Sequence, residues 1–214
     1  MKRLEIIFLI IIILLCSCRK DVENIPNFPI TLYASEITNL TNVRLFVGKT
    51  QITDDNILNK FISDISYFEL PNIMELSNKS MIFLSNDSAT WDGIGFSVNK
   101  NTNQFLFYSP FFMVAANHQS IVRPLLKHKE DLVQVLPEFI TNYCYTTRNV
   151  NVGYGSYANM GLCILTYKIS RTNSLSHFGA AGTILNEFNK DAIDTLQPSD
   201  TLAIREYRIR FITK

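Results

Sequence analysis

The chain has few of the residue types that usually signal chemistry. Its 214 residues include four cysteines, three histidines (His118, His128 and His177) and one tryptophan, Trp91. It contains no Cys-x-x-Cys pair and no cysteine–histidine cluster, so the common zinc and dithiol motifs are excluded and neither a metal nor a cofactor is expected. The histidines stand far apart. His128 lies in the charged run Lys127-His128-Lys129-Glu130-Asp131, which reads most simply as a solvated helix face. Charge imbalance is missing as well: 20 Lys and Arg against 19 Asp and Glu leave a formal +1 and no basic stripe, so no nucleic-acid partner is expected. Catalytic signatures are incomplete. Gly153-Tyr154-Gly155-Ser156 lacks the Gly-x-Ser-x-Gly order of a nucleophile elbow and the third glycine of a dinucleotide loop, so turn chemistry accounts for it better. Carboxylate pairs such as Asp54 with Asp64, or Glu187 with Asp191, gain no weight from spacing alone.

Glycine and proline are sparse, at eight and seven, whereas 15 Phe and nine Tyr make the chain rich in aromatics. That balance predicts an ordered, strand-rich globule rather than a disordered chain. The long apolar run is Ile6–Leu15, preceded by Lys2 and Arg3. As a helix it would rise about 15 Å, half of a roughly 30 Å hydrocarbon core, too short for a comfortable membrane span. Positive residues, an apolar stretch and then Leu15-Cys16-Ser17-Cys18 have the layout of a cleaved export signal.

This segment resembles the signal peptide and lipobox of bacterial lipoproteins, in which a Leu-like residue at −3 and a small residue at −1 precede the modified cysteine. Leu15 and Ser17 place Cys18 in that role, whereas Cys16 would have the bulky Leu15 at −1. The resemblance implies that residues 1–17 are removed and that Cys18 becomes an acylated N-terminus, stably anchored because more than one chain is buried. Loss of Lys2, Arg3 and Glu5 with the signal leaves the mature chain formally neutral. Arg19-Lys20-Asp21-Val22-Glu23-Asn24 is similar to the start of Bacteroidota-type lipoproteins. It implies a place in the cell envelope, lipid-anchored in the outer membrane, facing the periplasm or the surface. Residues 18–29, polar with Pro26 and Pro29, read as the lipidated cysteine and its tether, and 30–214 as one globular domain.

Cys144 and Cys163 remain. Their midpoint falls at Gly153-Tyr154, and a hairpin tip there would set the two sulfurs on facing strands. In an oxidising envelope such a pair forms a disulfide worth about 3 kcal/mol in the chain-entropy model. The alternative is two buried free thiols.

Hydrophobic periodicity predicts strands at 30–35, 43–47, 81–84, 143–147, 162–169 and 202–213, and an Asn-rich hairpin joining 94–98 to 105–107. Thr53-Asp54-Asp55 predicts a capped helix carrying Ile57, Leu58, Phe61, Ile62 and Ile65. Pro124 predicts a second helix through Leu136, and a short third is expected at Ile184–Phe188. The expected class is α+β: a strand-rich antiparallel sheet or partly closed, lipocalin-like barrel with two or three helices.

Trp91 sits in Ser88-Ala89-Thr90-Trp91-Asp92-Gly93, where an exposed indole would contact a sugar or protein partner and a folded-back one would cover the core. The Bacteroidota resemblance adds candidate O-glycosylation at Ser88, Thr195 and Thr201, each following Asp. The leading expectation is a non-enzymatic membrane-anchored lipoprotein that binds a ligand or partner, another envelope protein or a glycan. The alternatives are a structural or assembly protein of the outer membrane and a hydrolase of envelope or extracellular polymers. Cys18→Ala is expected to leave the membrane fraction or to stall as unprocessed precursor. The intact mass of the native protein should show acyl chains on Cys18 and, if the glycosylation reading holds, further hexose. A Cys18→Ala protein that stays acylated would move the site to Cys16.

Overall fold

The computed structural model describes residues 26–76, 78–115, 121–134, 144–172 and 177–214. Its centre is a closed antiparallel barrel of eight strands that follow the chain order, first neighbouring last. They are β1 (Ile30–Asn39), β4 (Ser80–Phe83), β5 (Ser88–Trp91), β6 (Ile94–Lys100), β7 (Gln104–Tyr108), β11 (Val150–Ser156), β12 (Asn159–Thr172) and β14 (Thr201–Ile212). The expected α+β, lipocalin-like barrel is therefore the architecture, and it is fully closed.

Between these strands lie β2 (Arg44–Val47), β3 (Thr50–Ile52), β8 (Phe112–Ala115), β9 (Val133–Gln134), β10 (Cys144–Thr147) and β13 (His177–Ile184). Strands β8, β10 and β9 form a separate three-stranded sheet on which Met113 and Val133 are exposed, with Phe111 exposed just before β8.

Two strands carry the closure. β12 and β14 pair continuously from Asn159↔Ile212 to Ser170↔Thr201. Their lower halves complete the barrel, because β12 pairs with β11 through Asn159–Leu162 and β14 with β1 through Tyr207–Ile212. Their upper halves run beyond it, where β12 takes β13 as neighbour and β14 takes β2. Alternation along β14 places Tyr207, Ile209 and Phe211 in the barrel core, while Arg210 is exposed. In the extension both faces are covered: Leu202 and Ile204 pack with Leu165, Tyr167, Ile169 and Phe188, and Ala203 with Leu45 and Phe68 on the other side. Strand β14 therefore has one wet face in its barrel half only.

Strand β1 runs past its expected end at Ser35 because a bulge there shifts the register between Ala34 and Glu36. The extra residue restores parity, so that Ile37 joins Leu32 and Ala34 against the core instead of turning to water. The Asn-rich hairpin forms as expected, linking β6 to β7.

The capped helix is α1 (Asp55–Ile62), whose N-cap Asp54 accepts from the amides of Asn56 and Ile57. Leu58, Phe61, Ile62 and Ile65 lean on the extension, whereas Ile57 stays half exposed. A single-turn helix, α2 (Ile73–Leu76), follows.

The other two expected helices are corrected. Pro124 sits in a 3-10 turn, Arg123–Leu125, after which Leu126 is extended and bridges to Phe188. The tie is buried Asn186, whose Nδ2 donates to the carbonyls of His128 and Val150 while its Oδ1 accepts from the amide of His128. Bonds to backbone across that distance in sequence hold both segments extended, so the 127–131 run is not a helix face and 184–188 is the exit from β13.

Gly153 and Gly155 do not mark a hairpin tip. They lie within β11, and the turn into β12 falls at Tyr157-Ala158, between Ser156 and its partner Asn159. A Cβ on Gly155, at φ +128, would stand 2.2 Å from the Asn159 carbonyl oxygen. A Cβ on Gly153 would meet Met160 Sδ at 2.9 Å. Gly155→Ala should therefore cost about 1–3 kcal/mol through backbone strain, read as a lowered urea midpoint. A midpoint equal to wild type would contradict the register.

Candidate ligand-binding site

The two ends of the barrel differ. At the end where the chain enters, Tyr157 folds under the floor with its ring centroid 5.4 Å from Phe28, 5.0 Å from Phe83 and 5.2 Å from Phe105, near edge-on to each. Phe105 stacks on Phe107 at 6.0 Å, and Met160, Leu162 and Phe211 complete a solid apolar fill. At the opposite end the fill stops, leaving a cavity of about 330 Å³.

Five segments build its wall. Trp91 ends β5 and Ile94 and Phe96 open β6, joined by the two-residue turn Asp92-Gly93 with both residues at positive φ. That Asp-Gly pair is the primed hairpin turn that suits twisted strands. Ser109 follows β7, Asn149 precedes β11 and Asn151 lies within it, and Thr183 and Ile184 end β13 with Leu185 just after. The gap exists because β12 abandons β11 for β13 near Leu162, so the wall there is closed by Leu185, whose carbonyl accepts from the amide of Val152.

Trp91 is neither free nor lost in the core. Its ring stands 6.2 Å from Phe211 in a near-perpendicular contact and also lines the cavity, while Nε1 is shielded from solvent without a partner. At the rim, Lys79 Nζ lies 2.8 Å from Asp92 Oδ2, so the two charges lining the cavity neutralise each other. Asn151 is 93% buried, leaving 7% exposed. Among the described residues, its side-chain amide and that of Asn149 enter no hydrogen bond.

Beside this wall, on the outer surface, Glu187 Oε2 accepts from Tyr154 Oη at 2.8 Å and Lys127 Nζ at 3.1 Å, with His128 Nε2 at 3.0 Å. Gln104 Nε2 donates to the same Tyr154 oxygen. Burial pushes the Glu187 carboxyl up, but the bonds from Tyr154, Lys127 and His128 outweigh it and hold the group below its ordinary value. Burial and the Glu187 carboxylate push the Tyr154 phenol up to about 12.

The remaining predicted positions fall elsewhere. Cys163 is a free buried thiol facing the outside of β12, pushed up to about 11 by burial although Arg208 opposes this. The expected disulfide is not formed: Cys144 lies on β10 in the three-stranded sheet, whereas Cys163 pairs with Arg208 in the barrel wall. Ser88 and Thr201 begin strands β5 and β14 rather than lying in loops, and Thr195 is exposed at the end of the 3-10 turn Lys190–Thr195. Asp54 caps α1, Asp64 binds Lys168 at 2.6 Å and Asp191 opens that same 3-10 turn, so the carboxylate pairs do not converge. Cys18 and His118 lie outside the described residues. Among those described, no cluster of three His, Cys, Asp or Glu could hold a metal ion, and no helix is long and apolar enough to cross a membrane.

The residues that line the mouth were not legible as a set, being spread from Lys79 to Leu185. The one local signal was Asp92-Gly93, which places Trp91 at the end of a strand rather than in a loop. No family model, curated protein or solved structure matches the chain, so its class is defined by the geometry: a closed up-and-down barrel, plugged at one end and hollow at the other.

Glu187 ties β11 to the 126–128 segment beside the mouth. A carboxyl held below its ordinary value contributes stability at pH above the unfolded-state pKa and loses it as pH falls through the folded-state pKa. Glu187→Gln should lower stability at neutral pH by about 1–3 kcal/mol. Because it lacks that titration, it should also flatten part of the acid limb in urea denaturation run across pH. Superimposable pH profiles for the two proteins would show that the latch contributes nothing.

Proposed function

We propose that this chain is a lipid-anchored protein of the bacterial cell envelope that binds a small molecule in the hollow end of its barrel, without chemically converting it. The observation that carries the reading is the cavity itself. An eight-stranded barrel has just enough interior either to fill with side chains or to hold one small ligand. Here the aromatic fill ends partway along, and the remaining volume of about 330 Å³ is lined by Trp91, Phe96, Ile94 and Leu185 on one hand and amides and hydroxyls on the other. Small-molecule sites have this composition and this order of size. Catalysis finds less support: among the described residues the carboxylate that lines the wall, Asp92, is engaged by Lys79.

The export signal and Cys18 supply the address, which we place in the outer membrane. The chain enters the barrel at the plugged end, so a tether of residues 18–29 would hold the mouth away from the bilayer.

Trp91 is the only tryptophan, so intrinsic fluorescence reports on the mouth directly. The dye 1-anilinonaphthalene-8-sulfonate should bind the native protein saturably, with one site and energy transfer from Trp91. Asn149→Phe, made on the exposed rim, should fill the opening and weaken that binding by about tenfold while leaving the thermal midpoint in place. Trp91→Ala should instead lower stability by about 3–5 kcal/mol. Dye binding that is unsaturable, or indifferent to Asn149→Phe, would remove the cavity from consideration as a site.

A further inference from the structure

Given the reading of the mouth as a binding site, on which this inference rests, we infer that its ligand is a neutral polyhydroxylated ring: a mono- or disaccharide unit. Three features of the wall select that chemistry.

The first is charge. Among the described residues, Lys79 and Asp92 are the ionic side chains of the lining, and they lie 2.8 Å apart as a pair. A carboxylate or phosphate ligand would have to break that pair to find a counter-charge, and an ion left uncompensated in a partly apolar cavity is strongly disfavoured.

The second is the buried amide. Asn151 projects from β11 toward the barrel interior, because it pairs in register with Phe107, whose ring belongs to the core. With 7% of its surface exposed and no hydrogen bond among the described residues, it offers two donor hydrogens and an acceptor oxygen to the cavity. Burying such a group against an acyl chain would leave it unsatisfied, whereas a hydroxyl both gives and takes a hydrogen bond. Asn149, whose side chain likewise enters no hydrogen bond among the described residues, stands beside it toward the rim, with the Thr183 hydroxyl, 3.4 Å from that of Thr166, in the facing wall. The amide pair thus matches adjacent hydroxyls rather than a lone polar head.

The third is the apolar side. Trp91 and Phe96 present ring surface in the same cavity, and Ile94 and Leu185 add aliphatic surface. The axial C–H face of a sugar ring packs against such surfaces while its equatorial hydroxyls point toward the amides. A fully apolar occupant would use only half of this lining, and a fully polar one only the other half.

The test uses the soluble mature chain, with a panel of neutral mono- and disaccharides, their uronic-acid and sugar-phosphate counterparts, and a medium-chain fatty acid. Binding is read by Trp91 fluorescence and isothermal calorimetry. The expected result is saturable binding of at least one neutral sugar, with its charged counterpart weaker. Asn151→Leu, close in size but without the amide, should lose sugar affinity by about tenfold or more while still binding the anilinonaphthalene dye. Should Asn151→Leu fail to fold, Asn149→Ala on the exposed rim should lower sugar affinity in the same sense. Dye binding without any sugar binding, or preference for the fatty acid, would overturn the saccharide assignment and leave the cavity reading standing. Binding of neither dye nor sugar would overturn both. Unchanged sugar affinity in both asparagine variants would also reject the assignment, since the amides would then play no part in recognition.

Discussion

Everything in this fold depends on the pairing of β12 with β14. The ladder from Asn159↔Ile212 to Ser170↔Thr201 is longer than a barrel of this width requires, and the surplus becomes a platform. Over its lower half the pair seals the barrel, burying Leu162 and Ile164 opposite Ile209 and Tyr207. Above that point β11 and β1 fall away, β13 and β2 take their places, and the same two strands carry α1 on one face and the 121–126 and 188–196 segments on the other. Backbone hydrogen bonds across the ladder leave neither strand a free edge within it, which is why β12 can exchange β11 for β13 without the barrel unzipping.

The hollow end follows from that handover. Where β12 leaves β11, the wall is completed not by a regular ladder but by Leu185 and Asn186, held by the Leu185 carbonyl, the Asn186 amide and the Glu187 carboxylate. An irregular seam packs fewer side chains inward than a paired strand would. The interior beside it is lined by Asn151 and Trp91 rather than filled by a residue the size of Phe105. At the other end the tight β11–β12 turn swings Tyr157 beneath the floor, and four aromatic rings close it. A barrel solid at one end and open at the other is therefore a consequence of which strand neighbours change along β12.

Much of the regular structure could be read from local pattern. Alternation over Leu202–Thr213, the Asn-rich hairpin and the Asp54 cap each depend on neighbours within a few residues, and each formed. Local pattern misled wherever a distant partner outweighed it. Leu125, Leu126, Leu132 and Val133 have helical spacing, but Phe188 and Asn186, far along the chain, hold Leu126 and His128 extended. Gly153 and Gly155 look like a turn, yet they are small because Met160 and the Asn159 carbonyl crowd the neighbouring strand. Cys144 and Cys163 are placed symmetrically about those glycines, and the symmetry dissolves once the real turn lies at Tyr157-Ala158.

By itself the sequence determined the absence of zinc and dithiol motifs, the near-neutral charge and the strand-rich class, and it carries at Leu15–Cys18 a layout that resembles a lipoprotein signal, because these rest on composition and short-range order. Tertiary structure decided that the sheet closes, that Trp91 serves both core and cavity, and that Asn149 and Asn151 meet Phe96 and Leu185 around one hollow. Those residues come from strands far apart in the chain, and only the register of the barrel brings them to the same wall.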